Sequence, residues 1–170
     1  SLGAIALLSL ALTGAAGPAE RAPVGPPAVT GPQEVEVVAV LLDQRTQQPT
    51  VVLQGKRDKR NLAMAIGLAE ATGIAIPLQG VTPPRPLTHD LFLTLFGRFK
   101  ISLIRAVITD LRDDIYYATV SFTADGSEFS LDARPSDAIA LAIRAKVPVF
   151  VEDRVFDKSG AAPAQRRPAI

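Results

Sequence analysis

Three apolar segments near the middle of the chain are separated by turns too short for anything but hairpins. They are "ISLIRAVITDL" (101–111), "IYYATVSFTA" (115–124) and "EFSLDA" (128–133). "RDD" joins the first two, and the turn "ADGS" joins the last two. A connection this short lays the chain back beside itself as an antiparallel pair, and Asp-Gly suits the left-handed backbone of a tight hairpin turn. The chain is therefore committed to a sheet built largely from neighbours in sequence.

The upstream segments extend that sheet. "EVEVVAVLLD" (34–43) and "PTVVLQG" (49–55) are valine-rich and partly alternating, and the polar "QRTQQ" between them suits a hairpin. "NLAMAIG" (61–67) reads as a further strand, reached through "KRDKR". Helical patterns follow. "LAEATGIAIPLQG" (68–80) stops at Gly80 and is weakened by Gly73 and Pro77. "THDLFLTLFGRF" (88–99) carries Phe92, Phe96 and Phe99 at i, i+4 and i+7, a core-facing stripe beside Leu91 and Leu95. "SDAIALAIRAK" (136–146) is the last helix, and "VPVFVED" after it reads as an edge strand. The expected fold is α+β: one domain over residues 34–156, with a largely antiparallel or mixed sheet and about three helices.

The two ends do not belong to that domain. "SLGAIALLSLALTGAAGPAE" opens the chain with no charge before Glu20. Its apolar run, Leu2 to Ala16, has the length of a signal-peptide core and is short for a membrane span. Residues 1–19 therefore predict an exported protein, periplasmic or secreted, with no membrane span in the mature chain. An uncleaved membrane anchor is the alternative. Residues 20–33 form a Pro-rich linker, and 157–170 a flexible tail.

The chain has no cysteine and one histidine, His89. Disulfides and thiolate metal sites are excluded, and any metal held by Asp, Glu and His89 would be a hard cation. Net charge is +1 overall, but residues 34–156 hold 14 Lys+Arg against 15 Asp+Glu. Such a domain does not grip nucleic acid through its overall field, so a polyanion contact needs a local cluster.

One charged corner occurs twice. "RPLTHD" (85–90) and "RPSDA" (134–138) each set an Arg-Pro pair before a hydroxyl residue and an aspartate, and each leads into a helix. Thr88 and Ser136 suit N-caps, with Pro135 as an alternative first helical residue, and Asp90 and Asp137 suit the positive end of the helix dipole. Arg85 and Arg134 oppose that dipole and need an anion nearby. They either brace the two helix starts, through pairs such as Arg85–Asp137 and Arg134–Asp90 or each with its own aspartate, or hold a phosphodiester. In the second case the carboxylates would hold a divalent cation and His89 would move a proton. Lys56 and Arg57, in the basic run at 56–60, either contact backbone phosphates or belong to a solvated hairpin loop. Tyr116 and Tyr117 point to opposite faces of one strand, so at most one can stack on a base.

"IGLAEA" (66–71), "RPLTHDL" (85–91), "IRAVITDL" (104–111), "YYATV" (116–120) and "LDARPSDAIALAIRAKVPVFV" (131–151) together resemble the bifunctional nuclease domain family. The resemblance implies an α+β domain, a homo-oligomer, and nuclease activity on DNA and RNA. It adds Glu70 and Asp132 to the candidate residues. The chain departs from the family's pattern at "LAMAIG" (62–67), where Ala63 and Ala65 stand for a proline and a bulky aromatic. On this reading Asp90, Asp132 and Asp137 would ligate Mg²⁺ or Mn²⁺, with Glu70 beside them. Arg85 and Arg134, with Lys56 and Arg57, would bind substrate, and His89 would protonate the departing oxygen. The competing expectations are a non-catalytic anion- or protein-binding module whose Arg/Asp corners are structural, and a structural oligomer using the exposed sheet edge.

Overall fold

A computed structural model describes residues 31–161. The segment at 1–19, most of the linker and the end of the tail lie outside the described residues. Among the described residues, no helix is long and apolar enough to cross a membrane.

Seven strands form one mixed sheet in the order β3-β2-β1-β7-β4-β5-β6. β1 (Gln33–Leu42), β2 (Pro49–Gly55) and β3 (Asn61–Ala65) form one antiparallel meander. β4 (Ser102–Arg112), β5 (Ile115–Ala124) and β6 (Ser127–Ala133) form a second. The turns between the latter three hold residues at positive φ: Asp113 and Asp114 in one, Asp125 and Gly126 in the other. This is the left-handed backbone that a two-residue hairpin needs. The α+β class and the hairpins agree with the sequence reading.

β7 (Val149–Val151) joins the two meanders. It pairs antiparallel with β1 and parallel with β4, so the segment expected at the edge lies in the centre of the sheet. Its three residues run Val-Phe-Val, and Val149 and Val151 are buried. A short apolar strand of this kind suits the interior of a sheet. The true edges are β3 and β6.

Three longer helices complete the domain: α1 (Leu68–Leu78), α2 (Thr88–Arg98) and α3 (Pro135–Ala145). α3 is apolar on most sides and packs against β4 and β5, with α1 and α2 as its neighbours. Its buried alanines, Ala138, Ala140 and Ala142, let it lie close to what surrounds it. α2 reaches the core through Phe92 and Phe96, which pack on Phe122 of β5 with Phe96 edge-on at 4.9 Å. Such aromatic pairs each add about 0.5–1.5 kcal/mol beyond area burial. Phe99, expected in the same stripe, is exposed together with Leu91 and Leu95, which share one side of the helix at i, i+4 and i+8, so of that stripe only Phe92 and Phe96 face the core.

A fourth helix, α4 (Asp153–Lys158), crosses the domain boundary drawn at residue 156. Val155 and Phe156 are buried there, and the Arg60 guanidinium lies 4.5 Å from the Phe156 ring centroid. Arg60 also bridges Asp58, Asp153 and Asp157. The basic run thus fastens the β2–β3 hairpin to α4.

Candidate active site

Each of the three longer helices carries an acid three residues after its N-cap. The pairs are Gly67 and Glu70 in α1, Leu87 and Asp90 in α2, and Arg134 and Asp137 in α3. Thr88 and Ser136 are therefore not caps. Thr88 is the first residue of α2, and α3 begins at Pro135, which the sequence allowed as an alternative start. Leucine has no side-chain acceptor, so at α2 the capping comes from Asp90, whose carboxylate accepts the Leu87 backbone N–H at 2.8 Å.

The fold brings these helix starts together. Arg134 donates to Asp137 through Nε at 2.7 Å and Nη2 at 3.1 Å, and to Glu70 of α1 through Nη1 at 2.8 Å. His89 of α2 places Nε2 3.1 Å from Asp137 Oδ1. Residues 48 positions apart thus share one cleft. Its volume is about 590 Å³, and its walls include Glu70, His89, Arg134 and Asp137. Two glycines make the geometry possible. A β-carbon at Gly73 would stand 3.1 Å from Cε1 of His89, and one at Gly67 would stand 2.3 Å from Oε2 of Glu70. The helical glycine at 73 costs about 1 kcal/mol relative to alanine, and in exchange the His89 ring lies against the α1 backbone.

Asp137 is pulled up by burial, but the bonds from Arg134 and then His89 outweigh this and hold it below the usual carboxylate range. Glu70 is also lowered, by its own backbone N–H and by Arg134. Arg134 is raised by the same partners, Asp137 first. An ionised carboxylate only accepts hydrogen bonds, so the His89 Nε2 that meets Asp137 carries a proton, which leaves Nδ1 as the nitrogen able to act as a base. Arg134 keeps N–H groups beyond those already bonded, on a side chain 64% exposed. The positive ends of three helix dipoles add to its attraction for an anion.

Other candidates sit elsewhere. Asp90 does not pair with Arg134: it accepts from Arg144 Nε of α3 at 2.8 Å. Arg85 forms no ion pair among the described residues, so neither of the two cross-braces expected between the corners exists, although Arg134 does bond its own aspartate. Asp132 is exposed on β6 and lines a second recess with His89 and Asp137. Lys56 and Arg57 are bound to Glu34 and Asp153, at the end of β3 remote from Gly67. The donor set of the candidate residues does not suit a metal ion. Among the described residues no group of three or more His, Asp or Glu could hold a metal, and Glu70 and Asp137 already accept from Arg134. A cation at these carboxylates would have to displace that guanidinium.

The sequence reading missed Arg144, whose side chain is only 7% exposed. Its Nη1 donates to the Gly73 carbonyl at 2.6 Å. In a regular helix that carbonyl accepts from residue 77, which here is proline with no N–H. Arg144 supplies the missing donor and pins α1 to α3 and α2.

Burial raises Asp90, but Leu87 and Arg144 outweigh it, so Asp90 joins Asp137 and Glu70 below the ordinary range. Carboxyls lowered by folding stabilise the protein above their unfolded pKa, and that contribution is lost as pH falls through the folded value. Urea unfolding midpoints are therefore expected to be flat from about pH 5 upward and to fall steeply below about pH 4. Asp90→Asn should flatten the acid limb. An unchanged limb would show that Asp90 is not a source of it.

Residues 51–164 match the bifunctional nuclease domain. An uncharacterized protein of Mycobacterium tuberculosis is 40% identical over 127 residues, covering 75% of this chain and 76% of that protein. Bifunctional nuclease 1 of Oryza sativa subsp. japonica is 30% identical over 117 residues, 66% of this chain but 35% of the rice protein. These matches support a nuclease-type function, and Glu70, His89, Arg134 and Asp137 all lie inside the matched segment. The chain belongs to the bifunctional nuclease domain family.

Proposed function

We propose that the cleft around Arg134 hydrolyses phosphodiester bonds of DNA and RNA. The observation that carries this reading is the convergence of an exposed, partly unsatisfied guanidinium with an Asp-oriented imidazole at three helix N-termini. Hydrolysis needs charge relief at the phosphoryl oxygens, a water stripped of its proton, and a proton for the departing oxygen. The spare N–H groups of Arg134 and the helix ends supply the first. His89, held by Asp137, removes a proton through Nδ1 and returns it to the leaving group. Glu70 keeps Arg134 extended across the cleft.

The test is incubation of labelled single-stranded DNA and RNA with the chain, in parallel with Mg²⁺, Mn²⁺ and EDTA. Cleavage is expected in wild type and a loss of about 100-fold or more in Arg134→Ala, with circular dichroism unchanged. The EDTA arm reads any metal requirement. Substrate that is retained but never cut in any arm would favour the anion-binding module instead.

A further inference from the structure

The Arg134–Glu70 pair is a wall between two recesses. One is the cleft holding His89. The other, about 390 Å³, has no role in the mechanism above. Met64, Ile66, Ile115 and the Tyr116 ring make it mainly apolar, and Asp114 stands at its edge. Ile115, 57% exposed, also lines it. The two tyrosines of β5 differ in what covers them. Arg112 sits 3.9 Å from the centroid of the Tyr117 ring, whereas Tyr116 lines the recess. Burial and then Asp114 raise the Tyr116 hydroxyl, so the ring stays neutral. Asp114 is exposed at the second position of the β4–β5 turn and has no ion-pair partner among the described residues.

We infer that this recess is a nucleobase subsite: one base of a single strand packs against Tyr116 while Arg134 holds the adjoining phosphate, and Asp114 selects bases that offer donors. The inference rests on the nuclease reading for its substrate class. An apolar pocket with one aromatic ring and one acceptor suits a flat, hydrogen-bonding heterocycle. A base reaches it only when unpaired and unstacked, so single strands are taken in preference to duplex. A carboxylate accepts two hydrogen bonds side by side from the ring N–H and amino group of guanine. Thymine and uracil present one N–H between two carbonyls that repel it.

Calorimetric titration with deoxyguanosine and deoxythymidine monophosphates separates this inference from the catalytic one. Wild type should bind the guanine nucleotide more tightly. Tyr116→Ala should weaken both by about tenfold. Tyr116 also packs against the core, so Ala65→Ile is the second variant. Residue 65 is exposed on edge strand β3 and lines the recess, and an isoleucine there narrows the space from outside the core and offers no stacking face. It should weaken binding of both nucleotides. Asp114→Asn should remove the guanine preference. Undiminished binding in folded Ala65→Ile, or equal affinity of wild type for both nucleotides, overturns the subsite. If the binding pattern holds but wild type cuts no strand, the catalytic reading fails and the subsite stands. Equal cutting of duplex and single strands with Ala65→Ile unaffected does the reverse.

Discussion

Arg144→Met is expected to destabilise the domain by about 3 kcal/mol. Methionine keeps most of the apolar stem and removes every donor. The Gly73 carbonyl then has no partner, because Pro77 has no N–H to offer, and an unsatisfied buried acceptor costs about 1–3 kcal/mol. Asp90 loses its cation as well. Breaking a fully buried pair costs about 3–5 kcal/mol, but the Asp90 side chain is 33% exposed and water recovers part of that. The sum lowers the melting temperature by roughly 10 °C. Pro77→Ala provides the diagnostic. Alanine at 77 returns the helical N–H to the Gly73 carbonyl, so Arg144→Met should cost about 1 kcal/mol less in that background. Equal costs in both backgrounds, measured by urea unfolding, would refute the link between the proline and the arginine.

The same pair shows where the sequence stops being readable. Hairpins were legible because their turns are local: Asp113-Asp114 and Asp125-Gly126 announce a left-handed backbone within a few residues. Pro77 was legible only as a weakness in a helix. That the weakness demands a donor follows from local chemistry, but its source lies 71 residues from Gly73, in the last turn of α3. β7 failed for a related reason. Three residues bounded by Pro148 and Glu152 look like an edge, and only the pairings with β1 and β4 make them central. At the site, the residue types could be named but the partners could not. Arg134 was expected to meet Asp90 or Asp137, and it holds Asp137 and Glu70 because α1, rather than α2, presents a carboxylate to it. The hydroxyls at 88 and 136 drew attention as caps, while the three acids at the third helical position were the common feature of the helix starts.

His89→Ala is expected to lower kcat for strand cleavage by about 10³, in the middle of the range for loss of a positioned proton carrier. Asp137→Asn should cost a comparable factor and also raise KM, since the carboxylate both fixes the imidazole and receives two bonds from Arg134. Residues that act as a unit are strongly non-additive, so the double variant should be no more than about tenfold slower than the worse single one. A structural role for His89 makes a different forecast. Its ring packs on Gly73, and deletion leaves a gap that would lower stability and activity together. Added imidazole separates the two, because it can occupy that gap and carry the proton without restoring the covalent tie of the ring to α2. Recovery of cleavage by imidazole in His89→Ala, with none in His89→Ala/Asp137→Asn, assigns the proton to His89 and its orientation to Asp137. Wild-type turnover in His89→Ala would place the proton transfer on another group and leave the imidazole as packing.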